Sequence, residues 1–171
     1  RTGASLLAQR LPTTERGLRA TAHRIADLVF ERLTGTPGAF STRIAYVTVD
    51  GRPPSQRFRL VVADADVFNP RTITESTEPI MSPAWSHDGQ QIAYVSFESK
   101  VSAIYVQRLA TGERRRVSAR SGINGAPAWS PDGRQLALTL SREGNLDLYT
   151  LDLATQSLTR ITTDDAIDTE P

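Results

Sequence analysis

The hydrophobic and polar positions follow one period near the start of the chain and another over the rest of it. Between positions 14 and 35 the apolar residues recur every three or four positions, at Leu18, Ala22, Ile25, Val29 and Leu33. This spacing places them on one face of a helix of about 20 residues. Thr14 is suited to cap the start of this helix, and Gly35 to take the left-handed conformation at its end, with Pro37 preventing continuation.

The residues around this helix are typical of the end of an α/β domain. The preceding segment, Ser5 to Leu11, is predicted to be a strand, and we assign residues 1–40 to the C-terminal part of such a domain. Thr36-Pro37-Gly38 joins this part to the rest of the chain. His23 precedes Asp27 by one helical turn, so we expect these two side chains to form an ion pair.

From residue 41 onward the sequence repeats with a period of 44 residues. Residues 83–89 read PAWSHDG, and residues 127–133 read PAWSPDG. One further period reaches Pro171, so Thr169-Glu170-Pro171 is predicted to open another copy. Upstream, RIAYV at 43–47 resembles QIAYV at 91–95, but the PAWS segment is missing there, which indicates a partial first copy.

Each full copy contains four short extended segments separated by turn residues. In the last full copy these segments are 126–130, 135–140, 146–153 and 158–162. Four strands in about 44 residues match one blade of a β-propeller, whereas helical repeats would need long stripes of 3.6-residue period. We therefore predict a mainly-β fold, an incomplete β-propeller preceded by a helix. Its blades are assigned to residues 41–80 (partial first), 81–124 (second) and 125–168 (third), with 169–171 starting the next.

Individual residues of the repeat have predictable structural roles. Ser130-Pro131-Asp132-Gly133 has the chemistry of a tight turn, and His87 takes the place of the proline in the equivalent turn of the preceding copy. Trp85 and Trp129 occupy the same repeat position and are predicted to pack between neighbouring blades. The predicted blade cores contain Leu136, Leu138, Leu148 and Leu151.

Composition excludes several classes of function. The chain has 20 Lys and Arg against 19 Asp and Glu, a net charge of +1, which disfavours a general binder of nucleic acid or membrane surfaces. It has no cysteine, so disulfides, thiol nucleophiles and thiolate metal sites are excluded, and no apolar run approaches the length of about 18 residues that spans a membrane.

No sequence motif of a catalytic centre is present. The chain has no G-x-S-x-G, no H-E-x-x-H, no phosphate-binding glycine loop and no EF-hand. Asp147 and Asp152 are five positions apart on one predicted strand, which places them on opposite faces and argues against shared acid–base work. We predict that the protein is not an enzyme.

Polar residues cluster instead in two sets of loops that the blade topology places on one rim. Loops 75–78, 120–124 and 164–170 join successive blades, and loops 98–100 and 142–145 join the second and third strands of a blade. Such loops on a rigid scaffold are typical of a binding protein. The predicted partner-binding residues are Glu78, Arg120, Ile123, Asn124, Asp168 and Glu170.

Four segments of the chain resemble the TolB family, the propeller proteins of the Tol-Pal cell-envelope system. They are MSPAWSHDGQQIAYVSFES at 81–99, NGAPAWSPDGRQLAL at 124–138, the terminal TEP, and LTGTPGAFSTRIAYV at 33–47. The resemblance implies a periplasmic, non-catalytic protein of Gram-negative bacteria with an N-terminal α/β domain and a six-bladed propeller. It further implies that the propeller binds the lipoprotein Pal, that the N-terminal domain engages TolA, and that the system supports outer-membrane integrity, cell division and bacteriocin import.

The same resemblance bears on metal binding and on how many blades the chain contains. In the family the propeller channel can hold calcium, and an acidic rim of Glu78, Asp168 and Glu170 has the oxygen ligands that this ion prefers. No ligand spacing in the sequence is diagnostic, and we predict no cofactor. The chain begins with Arg1 and stops inside a repeat, so we expect a fragment with blades missing.

Two other classes of protein share parts of this pattern. PAWSPDG also resembles the blade motif of propellers attached to oligopeptidase-like serine peptidases, where the propeller gates access to a separate hydrolase domain. A G-x-S-x-G motif downstream in the parent chain would favour that alternative. A carbohydrate-binding or lyase propeller would need more aromatic residues in the loops, where only Phe97 lies at an edge.

Overall fold

The structure, a computed structural model, describes residues 7–142 and 144–171, and its contacts group into two compact units. One unit comprises the chain up to Ile44 with Val62–Arg71, and the other comprises Ala45–Val61 with Thr72–Pro171. A 3-10 turn, Glu15–Gly17, precedes helix α1, Leu18–Thr34. The strands are β1 Arg43–Asp50, β2 Arg57–Asp64, β3 Arg71–Ser76, β4 Ile80–Trp85, β5 Gln91–Ser96, β6 Ala103–Arg108, β7 Arg114–Ser118, β8 Asn124–Trp129, β9 Gln135–Leu140, β10 Asp147–Asp152 and β11 Leu158–Arg160.

The predicted C-cap at Gly35 is confirmed, whereas Thr14 caps the 3-10 turn before α1, and the N-cap residue of α1 itself is Gly17, which forms no side-chain cap hydrogen bond. The Thr14 side chain accepts a hydrogen bond from the Gly17 amide at 3.2 Å, and Gly35 has a φ of 75° with its amide donating to Glu31. The predicted strand before the helix is wrong for Leu7–Leu11, which joins no sheet of the described chain; Ser5 and Leu6 lie outside the described residues. An extended segment becomes a strand only when a neighbour pairs with its backbone.

The helix buries a polar side chain and exposes its apolar face. Asp27 is the buried residue of α1, and its carboxylate accepts hydrogen bonds from the amides of Phe40 at 2.7 Å and Ser41 at 3.1 Å. Leu18 and Leu33, at the two ends of the predicted apolar face, are 57% and 67% exposed. In the described chain, the helix is therefore positioned by hydrogen bonds to the segment that follows it.

These hydrogen bonds affect both the pKa of Asp27 and the ion pair expected for it. The Ser41 hydroxyl and the two amides lower the pKa of Asp27, since all of them stabilise the ionised carboxylate. The predicted ion pair of His23 with Asp27 is wrong: the His23 imidazole lies 3.4 Å from the carboxylate of Asp66 and contacts the Phe40 carbonyl. Asp27 is occupied by backbone amides, which the helical spacing alone did not reveal.

The strands form three sheets that follow the sequence repeat. Their orders are β1-β2-β3, β4-β5-β6-β7 and β11-β10-β9-β8, and the two four-stranded sheets are antiparallel with equivalent registers. Tyr94 pairs with Tyr105 in one, and Leu138 pairs with Tyr149 in the other, 44 positions later. The sheet of the first, partial copy has three strands.

The first strand of each repeat carries a bulge at the same position. The registers of β4 and β8 shift after Met81 and after Gly125. Ser82 and Ala126 there have φ values of 50° and 45°, and Glu170, one further period along, has a φ of 60°. Each of these residues precedes a proline, which makes this conformation costly for a residue with a side chain. Glu170 thus shares the backbone conformation of Ser82 and Ala126, and the assignment of Thr169-Glu170-Pro171 to the start of another copy stays a prediction.

The apolar core lies between the two four-stranded sheets. Leu136, Leu138 and Leu151 are fully buried, as predicted, with Tyr149 and Val106 in the same cluster. The prediction is wrong for Leu148, which is half-buried. Alternation along β10 directs Asp147, Tyr149 and Leu151 inward and places Leu148 on the opposite face.

Trp129 and the turns take the places that the repeat predicts. The Trp129 ring packs against the core, and its indole N–H donates to the Ala84 carbonyl of β4 at 3.1 Å, which links the two sheets. In both turns a serine hydroxyl and a backbone amide donate to the aspartate, Asp88 or Asp132, and lower its pKa. His87 is exposed at the position of Pro131, so the two turns are equivalent.

Among the described residues, no helix is both long enough and apolar enough to cross a membrane.

Candidate functional site

The two sets of loops that the sequence analysis placed on one rim contact each other at two places, and a third contact joins the 120–124 loop to Ser141, directly before the 142–145 loop. The Lys100 ammonium pairs with the Glu78 carboxylate. The Ile123 amide donates to the Ser141 hydroxyl at 2.7 Å, and the Asn145 amide donates to carbonyls of the 164–166 segment. The prediction that both sets lie on the same rim is confirmed for the loops that the Glu78–Lys100 and Asn145 contacts join.

Asn124 holds the loop between the two four-stranded sheets together. Its side-chain oxygen accepts from the Ser118 hydroxyl at 2.6 Å and from the Arg120 amide at 2.9 Å. Its side-chain nitrogen donates to the carbonyls of Arg120 at 2.8 Å and Gly122 at 3.3 Å. The Asn124 backbone amide donates to the Ser102 hydroxyl at 2.8 Å. These bonds fix the backbone on both sides of Arg120.

The role predicted for Asn124 requires correction. The residue is 1% exposed and its amide group is occupied on both sides, so the side chain is not available to a partner. Its place in the repeat could have indicated this, because the residue one period earlier is Ile80, which is 4% exposed. A polar residue at a repeat position that is otherwise apolar is expected to be buried and fully hydrogen-bonded.

The loop that Asn124 organises presents Ile123 and Arg120 at the surface. Ile123 is 52% exposed, and Arg120 is exposed while its backbone is tied to Asn124. Gly122 has a φ of 83°, and a Cβ there would lie 2.3 Å from the Ser141 hydroxyl, so only glycine fits this close approach. The loop is therefore tightly constrained, and two of the predicted partner-binding side chains lie on it.

A cavity of about 340 Å³ adjoins this loop. Its described lining contains two arginines and no carboxylate: Val117, Ser118, Ala119, Arg120, Ser121 and Arg142. Arg142 comes from the loop between β9 and β10, and Glu143 beside it lies outside the described residues. The sequence analysis placed Arg142 in a rim loop but did not single it out, because its proximity to Arg120 depends on the packing of two loops.

The three acidic residues of the predicted set lie in different surroundings. Glu78 is half-buried and pairs with Lys100, Asp168 is half-buried with its amide donating to the Leu146 carbonyl, and Glu170 is exposed. Among the described residues, no three His, Asp or Glu side chains are placed to hold a metal ion. The calcium site that the family resemblance implied stays a prediction.

The two aspartates of β10 have separate structural roles. Asp147 is fully buried with one carboxylate oxygen 2.7 Å from the Arg160 guanidinium. Asp152 lies on the other face and accepts hydrogen bonds from the amides of Ala154 and Thr155, which lower its pKa. The prediction that they lie on opposite faces is confirmed.

Comparison with known proteins identifies relatives that share this repeat. A relative called Tol-Pal system protein TolB from Methylococcus capsulatus is 59% identical over 72% of this chain and 29% of its own length. One of the same name from Xylella fastidiosa is 48% identical over 74% of this chain and 29% of its own length. The chain thus spans less than a third of these curated relatives.

Solved structures support the same relationship. The crystal structure of TolB from Acinetobacter baumannii matches 95% of this chain and 41% of its own chain, with a TM-score of 0.88 and 44% identity. Propellers of several peptidases and of an oligogalacturonate lyase match at 15–22% identity, which shows the fold alone.

A family profile decides the assignment. The profile described as the TolB beta propeller domain matches residues 30–171, which include all eleven strands and the end of the helix. Together with the repeat and the sheets, this match confirms the predicted mainly-β fold, an incomplete TolB-type propeller preceded by a helix. The chain belongs to the TolB beta propeller domain family.

Proposed function

We propose that this chain is the propeller part of a non-catalytic Tol-Pal system protein that binds the lipoprotein Pal in the periplasm. The relatives' name, Tol-Pal system protein TolB, and the family profile support this assignment. The proposal includes outer-membrane integrity and cell division as the processes served, TolA as a second partner through an N-terminal domain, and no cofactor.

The observation that carries the proposal is the constrained loop at 118–124. Asn124 fixes its backbone through four side-chain hydrogen bonds, while Ile123 is 52% exposed and Arg120, on the same loop, is exposed as well. A loop that is already ordered loses little conformational entropy on binding, which favours affinity. An exposed apolar residue next to an arginine is the combination that is enriched at the centres of protein interfaces.

The peptidase alternative receives no comparable support. The peptidase propellers resemble this chain at 22% identity or less, and this degree of likeness shows the fold alone. The relatives described above, at 59% and 48% identity, both carry the Tol-Pal name. We therefore favour a binding function over the peptidase alternative.

Calorimetry with the soluble domain of Pal tests this proposal in the full-length protein. Replacing Ile123 and Glu170 together by alanine removes an apolar and an acidic side chain from the rim. We expect binding to weaken by more than about 1 kcal/mol while the melting temperature is unchanged, because both side chains are exposed.

The matched control is Arg134→Ala. Arg134 is exposed and follows the Ser130–Gly133 turn. Its amide and carbonyl form hydrogen bonds with Asp132 and Leu153, and replacing the side chain leaves both backbone groups in place. Its replacement is expected to leave binding intact. A loss of Pal binding with Arg134→Ala and none with the rim pair would assign the interface to the other rim.

A further inference from the structure

The last strand of the second blade, β7, ends its sheet with an open edge that carries three consecutive arginines. β7 follows β6 in the order β4-β5-β6-β7, and within the described chain no further strand pairs with its other side. Arg114, Arg115 and Arg116 are all exposed. An edge strand of this kind is a template on which an extended segment of another chain can pair.

The hydrogen bonds between β6 and β7 show which backbone groups of this edge are open. The Arg108 amide donates to the carbonyl of the opposite residue, Glu113, at 2.8 Å, so these two residues form a hydrogen-bonded pair. Hydrogen-bonded and non-bonded pairs alternate in an antiparallel ladder, so the amide and carbonyl of Arg115, two positions further on, also point at β6. The amides and carbonyls of Arg114 and Arg116 therefore point away from β6, towards the open edge.

The three arginine side chains differ in how far they are used within their own blade. Arg114 pairs with the Glu98 carboxylate, and its guanidinium lies 4.3 Å from the centre of the Tyr105 ring. Arg116 interacts with Glu98 only through the electrostatic effect of its charge. Among the described residues, neither Arg115 nor Arg116 forms an ion pair by direct contact with a carboxylate. Two cations of the edge are therefore available to an acidic partner.

The repeat shows why Arg116 has no carboxylate of its own. Arg160, one period of 44 residues later, has its guanidinium 2.7 Å from the carboxylate of the buried Asp147. The residue one period before Asp147 is Ala103. The second blade thus keeps the cation of this pair and lacks its anion.

Three arginines at this edge are not required by the blade fold. The positions one period after Arg114 and Arg115 are Leu158 and Thr159, and β11 pairs with β10 there in the same antiparallel arrangement as β7 with β6. The charges disfavour antiparallel pairing with a second copy, because arginines would face arginines. A strand with acidic residues would instead form ion pairs across the edge.

We propose that β7 binds an extended acidic segment of a partner protein as an additional strand. The backbone groups of Arg114 and Arg116 form the main-chain hydrogen bonds, and the guanidinium groups of Arg115 and Arg116 pair with acids at two consecutive positions of the segment. Consecutive residues of a strand point to opposite faces of the sheet. A membrane surface or a nucleic acid would meet one of these faces, whereas an added strand presents side chains on both.

Hydrogen exchange with a peptide probe tests this pairing in the full-length protein. The probe is Ac-Thr-Val-Glu-Glu-Val-Thr-NH2, and the control peptide has lysine at both glutamate positions. We expect the acidic peptide to slow the exchange of the Arg114 and Arg116 amides and to leave the Arg115 amide, which points at β6, unchanged. No protection of the two edge amides at millimolar peptide, or equal protection by the lysine peptide, would overturn the proposal.

Variants that remove charge test the role of the arginines. Arg115→Gln and Arg116→Gln together replace two exposed side chains by polar ones, so the melting temperature is expected to be unchanged. We expect this double variant to bind the acidic peptide about tenfold more weakly, because charge-assisted hydrogen bonds are lost. The matched control is Arg134→Gln, an exposed arginine after the Ser130–Gly133 turn, which is expected to keep the wild-type affinity. Equal affinity of the wild type and the double variant would contradict the assignment of the two arginines.

Vesicles of anionic phosphatidylglycerol distinguish an added strand from a membrane surface. The vesicles are expected to leave the exchange of the Arg114 and Arg116 amides unchanged, because lipid headgroups provide no strand to pair with them. Protection of these amides by the vesicles as strong as that by the peptide would assign the edge to a membrane and overturn the proposal.

Calorimetry with the Pal domain separates this inference from the proposed function, which assigns Pal to the rim loops. We expect the wild type and the double variant to bind Pal equally. If Pal does not bind the wild type while the peptide protects the edge amides, the proposed function is wrong and the strand site stands. If Pal binds and the peptide does not, the proposed function stands and the strand site is wrong. If the double variant loses Pal binding, β7 belongs to the Pal interface and a separate site is excluded.

Discussion

Helix α1 and the two four-stranded sheets bury different kinds of side chain. In the sheets, eleven buried apolar residues form one cluster between neighbouring blades. In the helix, the buried residue is an aspartate that is bonded to backbone amides, and the apolar stripe is largely exposed. The comparison shows that an apolar stripe predicts where a helix forms but does not predict which face the rest of the chain covers.

The largest expected effect tests the apolar side of this comparison. Leu136 is fully buried in the cluster between the sheets, so Leu136→Ala removes buried methyl groups and leaves a cavity. We expect a loss of about 2–5 kcal/mol in the free energy of unfolding, measured by denaturant titration. A loss below about 1 kcal/mol would show that the sheets do not share a packed core. Leu148→Ala, on the half-buried face of β10, is the matched control with a smaller loss.

The polar side of the comparison predicts an effect that depends on pH. Hydrogen bonds from Ser41 and from the Phe40 amide lower the pKa of Asp27 in the folded state, so the ionised carboxylate stabilises the fold. This contribution is fully present above the unfolded pKa of about 3.9, and it is lost as the pH falls through the lower, folded pKa. Asp27→Ala is therefore expected to destabilise the protein at pH 7 and to have a diminishing effect as the pH falls below about 4.

Hydrogen exchange locates the Asp27 effect. We expect the amides of Phe40 and Ser41 to exchange faster in Asp27→Ala at pH 7, because they lose their acceptor. Glu31→Ala, an exposed carboxylate on the same helix, is expected to leave these two amides unchanged. Equal protection of both amides in Asp27→Ala and the wild type would contradict the structural role of the carboxylate.

The smallest effect is expected on the exposed apolar stripe. Leu33 is 67% exposed, so Leu33→Ala removes little buried surface from the described chain. We expect a change within about 0.5 kcal/mol in the free energy of unfolding of the 171-residue chain. A loss of unfolding free energy similar to that of Leu136→Ala would mean that the apolar stripe is covered in solution. The helix and the sheets would then both be stabilised by apolar burial.

The sequence alone determined the elements and their repetition. Local signals were sufficient for the helix, because the cap of its 3-10 turn at Thr14, its C-cap at Gly35 and its 3.6-residue period depend only on neighbouring residues. The 44-residue period was sufficient for the two full blades, because each full copy forms the same four-stranded unit, including the turns at Asp88 and Asp132.

The tertiary structure alone decided which side chains are available at the candidate site. Asn124 was predicted to contact a partner, yet it is buried and bonded to Ser118 and Arg120, and Arg142 approaches Arg120 only because two loops meet. The Asp27 carboxylate likewise accepts hydrogen bonds from the amides of Phe40 and Ser41, which lie beyond the end of the helix. Period and propensity depend on residues that are close in sequence, whereas burial and charge pairing depend on which distant segments pack together.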